Sequence, residues 1–299
     1  MKLEVKELGD VKRDLHIEVD QDSLKSLKSK VLDKINQEAN VPGFRKGKAP
    51  ADLLEKRYAG LIKDELLKEA VPHYCQKAIE DNNLEVVGMP KIKDAKYVGQ
   101  GLQFTAQVEI KPKINIESKV YAQMKLKYSK AEVEAKEITQ FIDQFKEKVA
   151  GMTDKKKEDI DTKTASHWAG YKSEEEFKKA VEAELYINKV IQRRRALEQE
   201  ISQTLLAKVK CGLPEAVVEE QKKHLLTQQI MEMRNRGVPE EEFKKHYDQI
   251  SQKVEALAKD QVKLYYILEE IAKKEGLGTE KKDIYEVVIG YILNNSLDK

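Results

Sequence analysis

The sequence predicts an α+β N-terminal domain followed by an all-α C-terminal domain. Three observations carry that prediction. Apolar and polar residues alternate over 2–8, 13–20 and 102–110, the period of a half-buried strand, and helical spacing fills much of the chain between them. From Ser173 to the end only helical spacing occurs. Charged residues make up 36% of the 299 and aromatics 6%, the profile of long solvated helices with modest cores.

The first two strands, 2–8 and 13–20, form a hairpin around a Gly9-Asp10 turn. Asp20 or Asp22 then caps a helix carrying Leu24, Leu27, Val31 and Ile35 at helical spacing, which ends before Val41-Pro42. A short helix runs from Ala51 to about Tyr58 and stops at Gly60. A longer one carries Ile62, Leu66, Ala70, Tyr74 and Ala78, with Pro72 marking a kink or a break. Residues 84–92 read as a third strand, and Leu102, Phe104, Ala106, Val108 and Ile110 as a fourth at strict period two.

Beyond Pro112, residues 113–128 read as an extended connector in which Met124, Leu126 and Tyr128 alternate with Lys125 and Lys127. A helix from Lys130 to Val149 places Ile138, Phe141, Ile142, Phe145 and Val149 on one face. Residues 150–172, around the charge run DKKKEDIDTK, read as a linker. Ser173 to Glu176 is a capping box that opens a helix of about 36 residues, roughly 54 Å long. Gly212 ends it, Pro214 opens the next at the first helical position, and Gly237 with Pro239 repeats the device. From Phe243 a 4-3 repeat runs through Tyr247, Ile250, Val254, Leu257, Gln261, Leu264, Leu268 and Ile271, a coiled-coil seam broken at Gln261 and suited to an antiparallel hairpin with the preceding helix. A last helix carries Ile284, Val287, Val288, Tyr291 and Ile292.

Composition excludes several classes. No stretch approaches the ~18 apolar residues of a membrane span, and the N-terminus alternates charge with apolar residues in place of a signal peptide, so a cytoplasmic location is expected. Basic residues number 55 against 53 acidic, and the first 112 residues hold 20 against 19, so any nucleic-acid contact is local. Cys75 and Cys211 stand alone, His16, His73, His167, His224 and His246 are dispersed, and neither H-E-x-x-H nor G-x-S-x-G occurs. Glu220 and His224 read as a surface pair, and Met231 and Met233 as core residues more than as a pliable binding surface. No cofactor and no metal site is implied.

One stretch stands apart from this background: GFRKGKAP, Gly43 to Pro50. Its glycines and proline exclude helix, and Phe44, Arg45, Lys46 and Lys48 stand together with no acid between Val41 and Ala51. A nucleotide P-loop is excluded, because three residues separate the glycines where four are needed and Ala49 follows Lys48. On chemistry alone the loop is either a solvated connector or a docking surface for a polyanion or acidic side chains.

The octapeptide resembles the signature of the trigger factor family, bacterial chaperones at the ribosomal exit tunnel. The resemblance implies that Phe44, Arg45 and Lys46, framed by Gly43, Gly47 and Lys48, contact ribosomal RNA and a large-subunit protein beside the tunnel mouth. It also implies a ribosome-binding α+β domain over 1–112, a connector and helix over 113–149, and an elongated all-α chaperone domain with helical arms over 173–299. The linker at 150–172 stands where the family normally carries a prolyl isomerase domain resembling the FK506-binding proteins. Its 23 residues between Val149 and Ser173 fall short of the ~50 a domain needs, so isomerase activity is not expected, and His167 and Trp168 read as surface and packing residues. The expected partners are the ribosome and nascent or unfolded polypeptides, with a homodimer allowed and no membrane. An isomerase or a ribosome assembly factor with one fixed partner are the alternative readings.

Overall fold

The computed structural model describes residues 1–99, 101–122, 124–126, 130–153, 156–237, 239–278 and 283–297. Lys127 and Tyr128 of the expected connector, Asp154 and Lys155 of the charge run, and the side chain of Phe243 lie outside the described residues. Packing divides the chain into two compact units, one of residues 1–115 with 210–267, the other of 116–209 with 268–299.

In the first unit, β1 (Lys2–Glu7), β2 (Lys12–Val19), β3 (Val86–Val98) and β4 (Gly101–Ile110) form an antiparallel sheet in the order β1-β2-β4-β3. Every second residue of β4 is buried, from Leu102 to Ile110, and β2 matches it with Leu15, Ile17 and Val19. The opposite face carries polar cross-strand pairs. His16 faces Thr105 at 2.9 Å, and Gln107 and Gln103 donate to Asp14 and Glu18 at 3.0 and 2.9 Å.

Helices α1 (Gln21–Glu38) and α3 (Ala59–Asp81) cover the apolar face, and short α2 (Ala51–Arg57) precedes α3. Asp20 caps α1 by accepting from the Ser23 N–H at 2.8 Å. That bond, with the N-terminal ammonium beside it, holds the Asp20 carboxyl well below the usual range. α2 ends at Arg57, Gly60, the expected stop, lies in the first turn of α3, and α3 continues through Pro72 in its middle. Pro72 is on the exposed side, so the Lys68 carbonyl left without its helical donor faces water, while Ala70, Val71, Tyr74 and Cys75 keep the opposite side packed on the sheet.

The same unit contains α8 (Glu215–Asn235) and the larger part of α9 (Glu240–Glu275). Pro214 supplies no side-chain cap to α8. Glu109, on the polar face of β4, accepts from the Ala216 N–H at 2.8 Å and takes that place, while Lys12 pairs with Glu215 at 2.6 Å. Gly88 lies against Ala216 so closely that a Cβ would come within 2.7 Å of it.

α8 and α9 meet along Val218, Leu225, Ala258, Val262 and Tyr266. This stripe departs from the expected seam. Of the predicted positions Val254, Leu268 and Ile271 are buried, and Gln261, the expected break, is exposed and bonds Gln221 at 2.7 Å, but Tyr247 and Leu257 are 44% and 55% exposed. Ala258, fully buried, and not Leu257 belongs to the stripe packed on α8, so tertiary packing selects that stripe over the heptad there. Lys222 reinforces the pairing at 2.9 Å from Glu255, whose carboxyl is pulled down to about 2 by hydrogen bonds from Lys259 and Lys222.

In the second unit the expected connector contains α4 (Ser118–Ala122), and α5 (Ala135–Thr153) begins five residues later than the spacing predicts. The expected linker is packed. Ile160 enters the core, Asp161 caps α6 (Thr162–Trp168) through the Thr164 N–H at 2.7 Å, and Ala165 and Ser166 are buried. They join Ile142, Val149 and the first turns of α7 (Glu174–Lys208), where Phe177 meets Phe145 and Tyr171 at 5.6 and 5.5 Å between ring centres. The charge run conceals Ile160 and the small residues behind it. Ser173 caps α7 as expected, accepting from Glu176 N–H at 3.2 Å, but Glu176 reaches back to the Lys172 N–H and not to that of Ser173.

α7 ends at Lys208, four residues before Gly212. Toward that end Leu197, Ile201 and Leu205 are buried, and Val288, Ile289, Ile292 and Leu293 of α10 (Ile284–Leu297) are buried as well. Glu275 joins two hydroxyls: Tyr121 and Tyr291 each donate to it at 2.6 Å, and both bonds lower its carboxyl pKa.

Candidate functional site

The loop between α1 and α2 is built from two consecutive turns. Phe44 N–H donates to the Val41 carbonyl at 3.1 Å, and Lys48 N–H to the Arg45 carbonyl at 3.0 Å. In each turn the third residue is a glycine with positive φ, 86° at Gly43 and 82° at Gly47, as a type II turn requires. Pro42 holds the second position of the first turn, where its fixed φ suits the geometry. No atom lies within 4 Å of a Cβ built at either glycine, so backbone conformation and not crowding demands them.

A single residue of α1 holds the two turns in place. Asn36 accepts from the Gly47 N–H through its backbone carbonyl at 2.9 Å. Its side-chain amide donates to the Ala49 carbonyl at 3.1 Å and accepts from the Ala49 N–H at 3.2 Å. Below this frame Val41, Ala49 and Leu54 are buried together with Leu32, Ala39 and Tyr58 packed around them, and Tyr58 donates to the Asn40 carbonyl at 3.3 Å. The loop is therefore apolar at its base and tied to the helix by backbone bonds.

Its tip is open. Phe44 is 41% exposed, and Arg45, Lys46 and Lys48 are exposed. Among the described residues no ion pair or hydrogen bond engages the side chains of these three cations. The structure thus brings together the residues singled out in the sequence, with Gly43 and Gly47 setting the backbone. Three such cations beside an exposed ring can bind anions and stack or pack. Bidentate pairing to phosphate or carboxylate suits Arg45, and point-charge contact suits the lysines.

Asn36 was not evident from spacing. A signal existed, since Asn is a poor helix former that prefers local backbone bonds, and here it stands in the last turn before a glycine-rich loop. The other candidates lie apart from the tip. Cys75 is buried and Cys211 half-buried, and burial pushes both thiols up, away from reactivity. Met231, expected in a core, is 60% exposed, while Met233 is half-buried. Trp168 is 55% exposed, at the surface and not in packing. No helix among the described residues is long and apolar enough to cross a membrane.

Residues 1–145 match the family described as "Bacterial trigger factor protein (TF)", and residues 173–289 match its C-terminal counterpart. The residues between fall under neither, and no isomerase domain is matched. The trigger factor of Solibacter usitatus is 32% identical over 140 residues, which are 46% of this chain and 33% of that protein. That of Corynebacterium jeikeium is 36% identical over 118 residues, 39% of this chain and 22% of that protein. The matched stretches therefore span a third or less of these relatives. A solved structure from work on promiscuous substrate recognition by the trigger factor chaperone superposes with a TM-score of 0.57 at 13% identity, covering 93% of this chain and 87% of that one. At that identity the likeness establishes the fold, a small antiparallel sheet with helices followed by a mostly helical remainder. With its N-terminal and C-terminal parts matched in order by the two halves of one family, the chain belongs to the bacterial trigger factor family.

Proposed function

We propose that this protein is a ribosome-associated chaperone that works without ATP and without a catalytic step. Residues 1–112 dock it beside the exit tunnel in the cytoplasm through Phe44, Arg45, Lys46 and Lys48, and its helical residues from 173 onward hold nascent or unfolded polypeptides. The observation that carries this reading is the tip itself, in which unpaired cations and an exposed ring stand on a loop fixed by Asn36. Such a surface meets a rigid polyanion at little ordering cost. Residues 146–172, matched by neither half of the family, hold a packed turn and helix, with no room for a proline-binding domain.

Client capture needs apolar surface that the fold leaves open. Mid-α7 supplies it with Tyr186, Ile187 and Ile191, exposed by 51%, 56% and 44%, in a stretch with no buried residue between Val181 and Leu197. Each such patch gains roughly 25 cal/mol per Å² covered, which gives weak capture and ready release.

Replacing Phe44, Arg45 and Lys46 together by Ala is expected to weaken co-sedimentation with ribosomes by about tenfold or more and to flatten its salt dependence, with the melting temperature unchanged. Binding at wild-type strength would defeat the docking assignment. Asn36→Ala is expected to leave the tip chemistry intact but loosen it, costing about 1–3 kcal/mol of stability and weakening ribosome binding less than the triple variant does. Wild-type binding and melting would show that the frame is dispensable. For clients, Ile187→Asp with Ile191→Asp in the full chain is expected to impair suppression of light scattering by a denatured protein diluted from guanidine while ribosome binding persists. Undiminished suppression would move the client surface elsewhere.

A further inference from the structure

On the polar face of the sheet, the side chains of β2 turn toward β4 and away from β1. Glu18 and Asp14 accept from Gln103 and Gln107 at 2.9 and 3.0 Å, and His16 meets Thr105 at 2.9 Å. In the register of β1 with β2, Glu18, Asp14 and His16 stand beside Lys2, Lys6 and Glu4. Among the described residues no ion pair or side-chain hydrogen bond engages Lys2, Glu4 or Lys6, and all three are exposed. The outermost strand thus carries an unanswered row of charge, plus, minus, plus.

Its backbone is unanswered as well. Leu8 N–H donates to the Lys12 carbonyl at 3.0 Å, which fixes the parity of the pairing. Even-numbered residues of β1 bond to β2, and Leu3, Val5 and Glu7 turn their N–H and C=O groups outward. Among the described residues no hydrogen bond reaches those outward groups. The outer edge of β3 has Pro90 and register shifts at Val87/Lys91 and Lys93/Lys96, common protections against a further strand, whereas β1 pairs in register over its whole length and has neither. On the apolar face Val5 is 37% exposed at the rim of the core, and Leu3 is half-buried.

We propose that this edge is a docking site for an extended polypeptide segment, which joins the sheet as a further antiparallel strand and is selected by its charges. The inference rests on the chaperone reading and gives one class of client a place on the N-terminal sheet. A segment reading acid, apolar, base, apolar, acid complements the row. Its acids oppose Lys2 and Lys6, its base opposes Glu4, and its two apolar side chains lie beside Leu3 and Val5. The residues opposite Leu3 and Val5 exchange both backbone bonds with them, an attraction common to any sequence, so choice among segments falls to the charges.

Fluorescence anisotropy of a labelled, terminally blocked peptide Ser-Glu-Val-Lys-Val-Glu-Ser, titrated with the full chain at low salt, tests the site. Its dissociation constant is expected on the order of 0.1–1 mM, since a short strand gains few net bonds and loses its own conformational freedom. The charge-reversed peptide Ser-Lys-Val-Glu-Val-Lys-Ser is expected to bind about tenfold more weakly. In a chain carrying Lys2→Glu, Glu4→Lys and Lys6→Glu together the preference is expected to invert, an outcome that damage to the fold cannot mimic. Backbone methylation reads the parity. On both valines, whose N–H groups face β1, it is expected to abolish binding, and on the central lysine, whose N–H faces away, to change it by less than about threefold. Binding indifferent to the charge pattern, a preference that survives the triple exchange, or the opposite response to methylation overturns the proposal. No binding by a chain that still suppresses scattering of a denatured protein overturns the edge alone, and loss of both removes the chaperone reading with it.

Discussion

Strand β4 is the constraint to which the rest of the first unit answers. Its residues serve two faces in strict alternation, so Leu102 through Ile110 build the core while Glu109 on the other side receives the N-terminus of α8. A shift of one residue in its register would expose five apolar side chains and withdraw the cap together. The two segments that fold together in this unit, residues 1–115 and 210–267, meet at that strand through the Glu109 bond to α8.

From that sheet the apolar stripe of α1 carries order outward. Leu24 belongs to the sheet core, Val31 and Ile35 pack with Ile62 and Leu66 of α3, and Val41, Ala49 and Leu54 close the series under the loop. Each buried aliphatic side chain in it stabilises the pair by roughly 1.5–3 kcal/mol. Eighteen residues of α1 place the tip roughly 27 Å along the helix from its start at the sheet. Asn36 then converts helix order into loop order, which lets charged residues stand clear of the core without losing their arrangement.

The sequence was most legible where one local rule decided the outcome. Alternation found β4, Ser173 announced the cap of α7, and Gly43 with Gly47 marked a non-helical loop whose positive φ values the structure displays. It was least legible where a distant partner decides. α9 offers two apolar stripes, and the choice of Ala258 over Leu257 belongs to α8, not to α9. The charge run before α6 conceals a core because Ile160, Ala165 and Ser166 are few and small. Asn36 gives no such local signal, because its side-chain bonds run thirteen residues forward, beyond the reach of a capping pattern.

Held by Asn36, the tip is ordered before it meets a partner. Amide hydrogen exchange in the isolated protein probes this, since the Gly47 and Ala49 N–H groups are bonded to Asn36 while that of Lys46 has no backbone acceptor among the described residues. Exchange at Gly47 and Ala49 slower than at Lys46 by roughly tenfold or more, after correction for intrinsic rates, is the expected result. Uniformly fast exchange from Gly43 to Ala49 would contradict it and leave the loop to be ordered by whatever it binds.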